Sequence, residues 1–398
     1  MSRYNISNLF PFTRVKITEI STNHDGSLTL VKIQPDKRFQ PICSGCHNPV
    51  KKIHSTETRA LDDLPMCGSK VTIYFTSRKV QCKQCGIRVE HFDFVEPYAH
   101  VTNRYALEVH DLCQKMTITD VAKYSKLSWH QVRRIDKKEL SKKYSNIPTT
   151  DLKIMCIDEI SIKKHHNYLT IFANYLTGQV KGVVENRDYL SVSNYLKNLP
   201  LQTREQIEAV AMDMWDPYIK AFKEWCPRIN IVFDCFHVVS AFGKVIDKIR
   251  AEQFKKADVD MKNLMKHSRY LLLKNPENLS EKERPRLKQI LENNQLLSSV
   301  YVLKDYLKKL WQYKYQKSAL TFLNYWCSLA IDTGHKELIK FSEMLQNHSY
   351  GIINHCKYPI HNGKLEGINN KIKVLKRKAY GYVDIEYFAL KIIQITTN

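Results

Sequence analysis

The chain has 398 residues, 43% of them hydrophobic, with only 12 Gly and 13 Pro; this sets aside low-complexity and fibrous classes and leaves room for two to four globular domains. Its 62 basic residues against 40 acidic ones give a formal charge of +22, spread along the chain, so the favoured partners are polyanions, nucleic acid ahead of an anionic membrane surface. No secretory signal or membrane-length apolar run is evident, and an odd 11 Cys argues for a reducing cytoplasm in which thiols serve metal and not disulfides.

Residues 1–40 alternate with period two. Val15 and Ile17, then Leu28, Leu30 and Ile33, flank Asn23-His24-Asp25-Gly26 and predict a β-hairpin. Cys43-Ser-Gly-Cys46 and Cys82-Lys-Gln-Cys85 follow, separated by about 35 residues that include strand-like Val71–Phe75. Four thiolates in two such knuckles can close a tetrahedral structural Zn2+ site, with Cys67, His47, His54 and His91 as weaker ligands. Redox use would need one CxxC at a helix start, and neither pair has that setting.

Residues 101–145 read as helical, without Gly or Pro. Thr119 to Ile135 has the layout of a helix-turn-helix, with Thr119 capping the first helix and Ser128 the second. Val121 and Ala122 face inward from the first, Trp129, Val132 and Ile135 from the second. His130, Gln131, Arg133 and Arg134 then point outward as the residues that reach bases and phosphates. Asn146–Thr150 reads as a linker.

From residue 151 the pattern becomes α/β. A buried strand ends in Asp158, a hairpin turns at Leu176–Gln179, and Asp188–Leu199 is helical. A second apolar strand, Ala209–Met212, ends in Asp213; Asp216-Pro217 opens a helix, and Ile229–Phe233 leads into Asp234-Cys-Phe-His237. Residues 238–355 predict helices alone. The last segment, His361–Tyr382, returns to a patterned helix: Leu365, Ile368, Ile372, Leu375 and Ala379 make an apolar stripe, and Glu366, Asn370, Lys373 and Arg377 share a second face. A carboxylate among phosphate-seeking cations is anomalous unless a metal ion stands between it and the polyanion.

Asp158 and Asp213, about 55 residues apart on strand ends, together with Glu366 on a late helix, supply the hard oxygen ligands that suit Mg2+ or Mn2+. Two such ions can drive in-line displacement at a phosphodiester. Glu159 is the weaker first ligand, because alternation points it away from Asp158.

In these segments the chain resembles bacterial insertion-sequence transposases of the ISL-three family. The resemblance rests on Ile157-Asp-Glu-Ile160, Ala209–Trp215, Val232–Val239 and Asn362–Gly381, with the CxxC pairs and the helix-turn-helix in their expected places. It implies a multidomain α+β chain. A zinc-binding β module covers 1–100, a helix-turn-helix domain 101–150, and a ribonuclease-H-like catalytic core 151–240 and 356–398, interrupted by a helical insertion over 241–355. It implies a DDE enzyme that binds double-stranded DNA at its element's ends, cleaves it and joins the 3′ ends to target DNA, as a homodimer or higher oligomer. The family's acids fall on Asp158, Asp213 and Glu366, and its acid-x-x-His element on Asp234 and His237, which fits an accessory metal ligand or, preferably, a local structural lock. Two other classes stay open: a DNA-binding regulator with an inert α/β domain, and a metal-dependent, structure-selective nuclease.

Overall fold

The computed structural model describes residues 6–163, 167–360 and 363–397, in two units, Met1–Ser145 and Asn146–Asn398. The first is built on β1 (Val15–Thr22), β2 (Leu28–Pro35), β3 (Ile53–Met66), β4 (Ser69–Cys82) and β5 (Gly86–Val89), ordered β1-β2-β4-β3 with β5 also on β4. The β1–β2 turn closes where it was expected: Asn23 and Asp25 side chains accept the N–H groups of Leu28 (2.8 Å) and Ser27 (3.0 Å). The long spacer between the CxxC pairs is mostly a second hairpin, β3–β4. It reverses at Cys67-Gly68, both at positive φ, and so brings Cys82 back beside Cys43 and Cys46. Val31, Ile33, Val71, Ile73 and Phe75 alternate inward against Phe92 and Phe94 to form the core.

Three helices complete this unit: α1 (Asn103–Lys115), α2 (Ile118–Ser125) and α3 (Trp129–Tyr144). Ser128 caps α3 in a full capping box with Gln131. The cap of α2 is Thr117 and not Thr119. Thr117 precedes the first helical residue, accepts from the Asp120 N–H and donates to the Asp120 carboxylate at 2.6 Å, whereas Thr119 is already helical. Val121, Val132 and Ile135 pack inward as expected, but Trp129 is 43% exposed. Leu127, in the turn before α3, is part of that core instead. Buried Asp136 meets His110 at 2.7 Å, tying α3 to α1. Asp63 of β3, also buried, accepts from Thr102 and Arg104 and anchors α1 on the sheet.

The second unit holds β6 (Ile154–Lys163), β7 (Asn167–Asn174), β8 (Val180–Glu185), β9 (Ala209–Met212) and β10 (Asn230–Phe233), in the order β10-β9-β6-β7-β8. β6, β7 and β8 run antiparallel, while β9 and β10 are parallel to β6. Parallel neighbours need crossovers, and α4 (Tyr189–Asn198), α5 (Leu201–Gln206) and α6 (Asp216–Trp225) supply them. Met155, Ile157, Val210, Met212, Ile231 and Phe233 bury one face of the sheet against those helices. After β10, α7 (Cys235–Lys256) leads into α8 (Val259–Met265), α9 (Arg269–Leu273), α10 (Glu283–Glu292), α11 (Gln295–Lys308), α12 (Gln316–Asp332), α13 (Lys336–Asn347) and α14 (Ser349–Ile352). Among the described residues, none of this segment is strand, as the sequence predicted. α7 joins the sheet's core through Val238, Phe242 and Ile249, and Trp326 is its largest fully buried side chain. Finally α15 (Gly363–Lys378) and α16 (Ile385–Thr397) return to the sheet, where Asn369 reaches β6 and Thr396 accepts from the Val180 N–H. No helix of the described residues is long and apolar enough to cross a membrane.

Candidate active site

Asp158 was expected at a strand end, but β6 runs on to Lys163. What ends nearby is the pairing of β6 with β9, which stops at Cys156 while pairing with β7 continues. Asp158 therefore stands where the sheet has just lost a neighbour. Asp213 follows the last residue of β9 and Asp234 the last residue of β10, so three carboxylates belong to the same open end of the sheet.

The side chains gather unequally. Oxygens of Asp213 and Asp234 and a ring nitrogen of His237 lie within 4.8 Å of one another, a set able to hold a metal ion. His237 Nε2 is 2.8 Å from Asp213 Oδ1 and 3.6 Å from Asp234 Oδ2. Its pKa is raised, chiefly by the hydrogen bond to Asp213, against the burial that would lower it. Asp234 also caps α7, its Oδ1 accepting the Phe236 N–H at 3.0 Å. Asp158 is close enough to repel Asp213, and burial first, then that charge, pushes its pKa up. Two donors oppose the rise: Asn369 Nδ2 at 2.6 Å from Oδ2, and the Glu159 N–H at 2.7 Å from Oδ1.

Glu159 alternates with Asp158 along β6 and pairs with Arg187 at 3.3 Å, but it too is close enough to feel Asp213, and burial, then that charge, pushes its pKa up. Arg187 lies over the rings of Tyr168 (4.4 Å) and Trp215 (5.0 Å), and its carbonyl accepts the Trp215 indole N–H. Neither Arg187 nor Asn369 was singled out in the sequence. Asn369 is three residues from Glu366 and could have been found by extending that face by one helical step; Arg187 has no local signal.

Glu366 lies in the first turn of α15 and is exposed; it is not among the groups drawn together at Asp213. The stripe on that helix holds, with Leu365, Ile368 and Ile372 buried, whereas Ala379 lies beyond the helix and is exposed. Asn370, Lys373 and Arg377 share the exposed face with Glu366. His361 and Asn362 lie outside the described residues.

In the first unit, Cys43, Cys46, Cys82 and Cys85 converge into one cluster, with the Sγ atoms of Cys46 and Cys82 3.6 Å apart. The N–H groups of Cys85 and Gln84 pull the Cys82 thiol down to about 7, and the Cys46 thiol beside Cys85 pushes that residue up to about 12. Four thiolates at this distance need a cation, and the donor set is that of a structural zinc site. Gly45 belongs to the design, because a Cβ there would sit 3.1 Å from Cys85 Sγ. His47, His54, His91 and Cys67 are not in the cluster.

On α3, His130 and Arg134 are exposed, as expected for a reading helix. Arg133 lies over the Trp129 ring at 5.8 Å, and the Gln131 side chain accepts the Ser128 N–H at 2.9 Å. Gln131 is thus committed first to the cap. Gln131→Ala should cost about 1 kcal/mol of stability in thermal unfolding, as cap losses do, and weaken any DNA equally. Arg134→Ala should leave unfolding unchanged and weaken DNA binding. A Gln131 variant that kept full stability while losing sequence discrimination would restore it as a reader of bases.

Comparison with known proteins gives a consistent picture along the chain. A family profile described as "Transposase" matches residues 155–392, the helix-turn-helix domain of transposase family ISL3 matches 90–139, and the zinc-finger of transposase IS204/IS1001/IS1096/IS1165 matches 40–85. The transposase for insertion sequence element IS1001 of Bordetella parapertussis is 35% identical over 355 residues, 88% of this chain and 87% of its own. The transposase for insertion sequence element IS1557 of Mycobacterium tuberculosis, strain CDC 1551, is 22% identical over 383 residues, covering 90% and 86%.

Proposed function

The chain belongs to transposase family ISL3, and we propose that it binds the terminal inverted repeats of an insertion sequence, cleaves the DNA at those ends and joins the freed 3′ ends to target DNA. The observation that carries this reading is the gathering of Asp213, Asp234 and His237 at the open end of a sheet whose central strand presents Asp158. Beside it lies a helix offering Glu366 and exposed cations. The sheet order, an antiparallel β6–β7–β8 meander with two parallel strands added through helical crossovers, supports a ribonuclease-H-like core. On this reading residues 241–355, from within α7 to just past α14, are the insertion between the core's two parts.

Asp158 and Asp213, joined by Glu366 if α15 carries it to them, are hard oxygen donors that would hold divalent Mg2+ or Mn2+; bound there, such ions would supply activation of a water or 3′-hydroxyl and stabilisation of the leaving oxygen. The chain's own groups do the rest. Asn369 and the Glu159 N–H hold the Asp158 carboxylate in one orientation, and His237 holds Asp213. Lys373 and Arg377, exposed along α15, take the phosphates of the strand. About two to three turns separate them from Glu366, so the cations can grip the backbone without meeting the acid. Joining needs two ends held together, so the working form is a homodimer or higher oligomer on DNA in the cytoplasm.

The test is incubation of the full-length protein with labelled duplex carrying the repeats that flank its gene, a target plasmid and Mg2+ or Mn2+. Cleaved ends and label joined to plasmid are expected. Binding without cleavage in either metal would leave a DNA-binding regulator; cleavage without joining would leave a nuclease.

Asp234 and His237 should separate. Asp234→Ala removes a helix cap and should lower stability by about 1 kcal/mol, whereas Asp234→Asn, which can still cap, should not. His237→Ala should unfold at nearly the wild-type temperature yet cleave far more slowly, because the ring is half-exposed and its main partner is Asp213. An His237 variant that was destabilised but otherwise normally active would make it a purely structural lock.

A further inference from the structure

The turn that closes α15 gives up local stability for a side chain the fold does not use. The Gly381 N–H donates to Lys376 O at 2.9 Å and the Tyr380 N–H to Arg377 O at 3.1 Å, the paired bonds of a Schellman motif. That motif places its C′ residue in the left-handed region, where glycine carries no penalty. Here the C′ residue is Tyr380, at φ +53°, although a glycine, Gly381, stands next to it at φ +105°. The neighbouring tyrosine shows what the fold can use: Tyr382 stacks on buried Phe388 with ring centroids 4.5 Å apart. Tyr380 is 101% exposed. A ring held at a steric cost, in full solvent, beside a residue type that would remove the cost, is explained by something that binds it.

Its surroundings say what. Lys376, Arg377 and Lys378 form the last turn of α15, directly before the ring. Cations select a polyanion, and an aromatic ring beside them offers a stacking surface, the combination by which proteins hold unpaired nucleic acid. A paired base shows only its edges in the grooves, so a single projecting ring needs a base whose face is open. Cleavage at an element's end creates such bases. We propose that Tyr380 stacks on an unpaired nucleobase of the DNA strand whose phosphates run along α15; this rests on the reading of the chain as a DNA transposase. Stacking is tolerant of sequence, so the residue selects for strandedness.

The experiment uses full-length protein, a fluorescent duplex with an unpaired 3′ thymidine tail, and the same duplex blunt-ended. Wild type should bind the tailed duplex more tightly. Tyr380→Gly should weaken tailed binding about tenfold, as loss of one stacked base does. It should leave blunt binding roughly unchanged and unfold no earlier than wild type, since glycine relieves the left-handed strain. Tyr380→Phe keeps the ring face and should keep the preference. Equal tailed binding by wild type and Tyr380→Gly would overturn the proposal, as would an equal loss on both duplexes. A change in oligomeric state with tailed binding intact would show the ring to be a contact between copies of the chain. If wild type bound neither duplex, the transposase reading would fall first and this one with it.

Discussion

Asp213→Asn should abolish metal-dependent cleavage and joining, by roughly 10^3-fold or more, which corresponds to at least about 4 kcal/mol of barrier. The amide keeps the shape of the side chain but removes the charge that would draw a divalent ion to the open end of the sheet. Folding should survive, because Asp213 lies outside β9 and is 28% exposed, and the sheet's core does not include it. Asp158→Asn should behave alike in activity. Asp158 is more deeply set and already partly disfavoured as an anion, so its amide should cost no stability. Glu366→Gln is the sharpest of the three, because that residue is exposed and stands apart from the Asp213 cluster. If it too loses all chemistry while keeping DNA binding, the first turn of α15 must carry it to the acids when DNA and metal are present. Glu159→Gln, whose ion-pair partner is Arg187, should retain substantial activity. Measurement is cleavage and joining of labelled end DNA beside a binding titration. Joining by any of the three amide variants at the wild-type rate would remove that residue from the catalytic set.

What could be seen in advance follows from the range of the forces involved. Alternation and helical period are local, so the β1–β2 hairpin, the strands before Asp213 and Asp234, and the buried stripe of α15 were all legible. Caps are local too, yet Thr117 was passed over for Thr119, because two threonines of equal chemistry flank Ile118 and the sequence does not mark where the chain first turns helical. Trp129 was misplaced for a tertiary reason: the core of the three helices includes Leu127, in the turn, and leaves Trp129 exposed. Partners distant in sequence were out of reach. Asn369 meets Asp158 across 211 residues, and Arg187 meets Glu159 and Trp215 only once β6, β8 and β9 share a sheet. Asp213 and Asp234 were conspicuous because carboxylates at the tips of apolar strands are a sequence pattern. The groups that orient them are an outcome of the topology.

Removal of zinc should disorder one part of the first unit and spare the rest. The four thiols close over a core of only Val50 and Val80, whereas the sheet behind has ten buried residues of its own and α1–α3 another eight. Two valines cannot hold the loops around Cys43 and Cys82 against their conformational entropy, so metal binding must supply the difference; structural zinc contributes on the order of 10 kcal/mol. Without it, the knuckles would open. Purified protein should therefore carry about one zinc per chain. Chelation, or Cys82→Ser, should erase hydrogen-exchange protection over residues 41–50 and 80–89. The Val71–Phe75 segment of β4, paired on both sides and packed in its own core, should remain protected. DNA binding should weaken, in proportion to what the knuckles contribute beside α3. A protein free of zinc yet fully protected at both CxxC loops would show that the thiol cluster closes by itself and that the metal is dispensable.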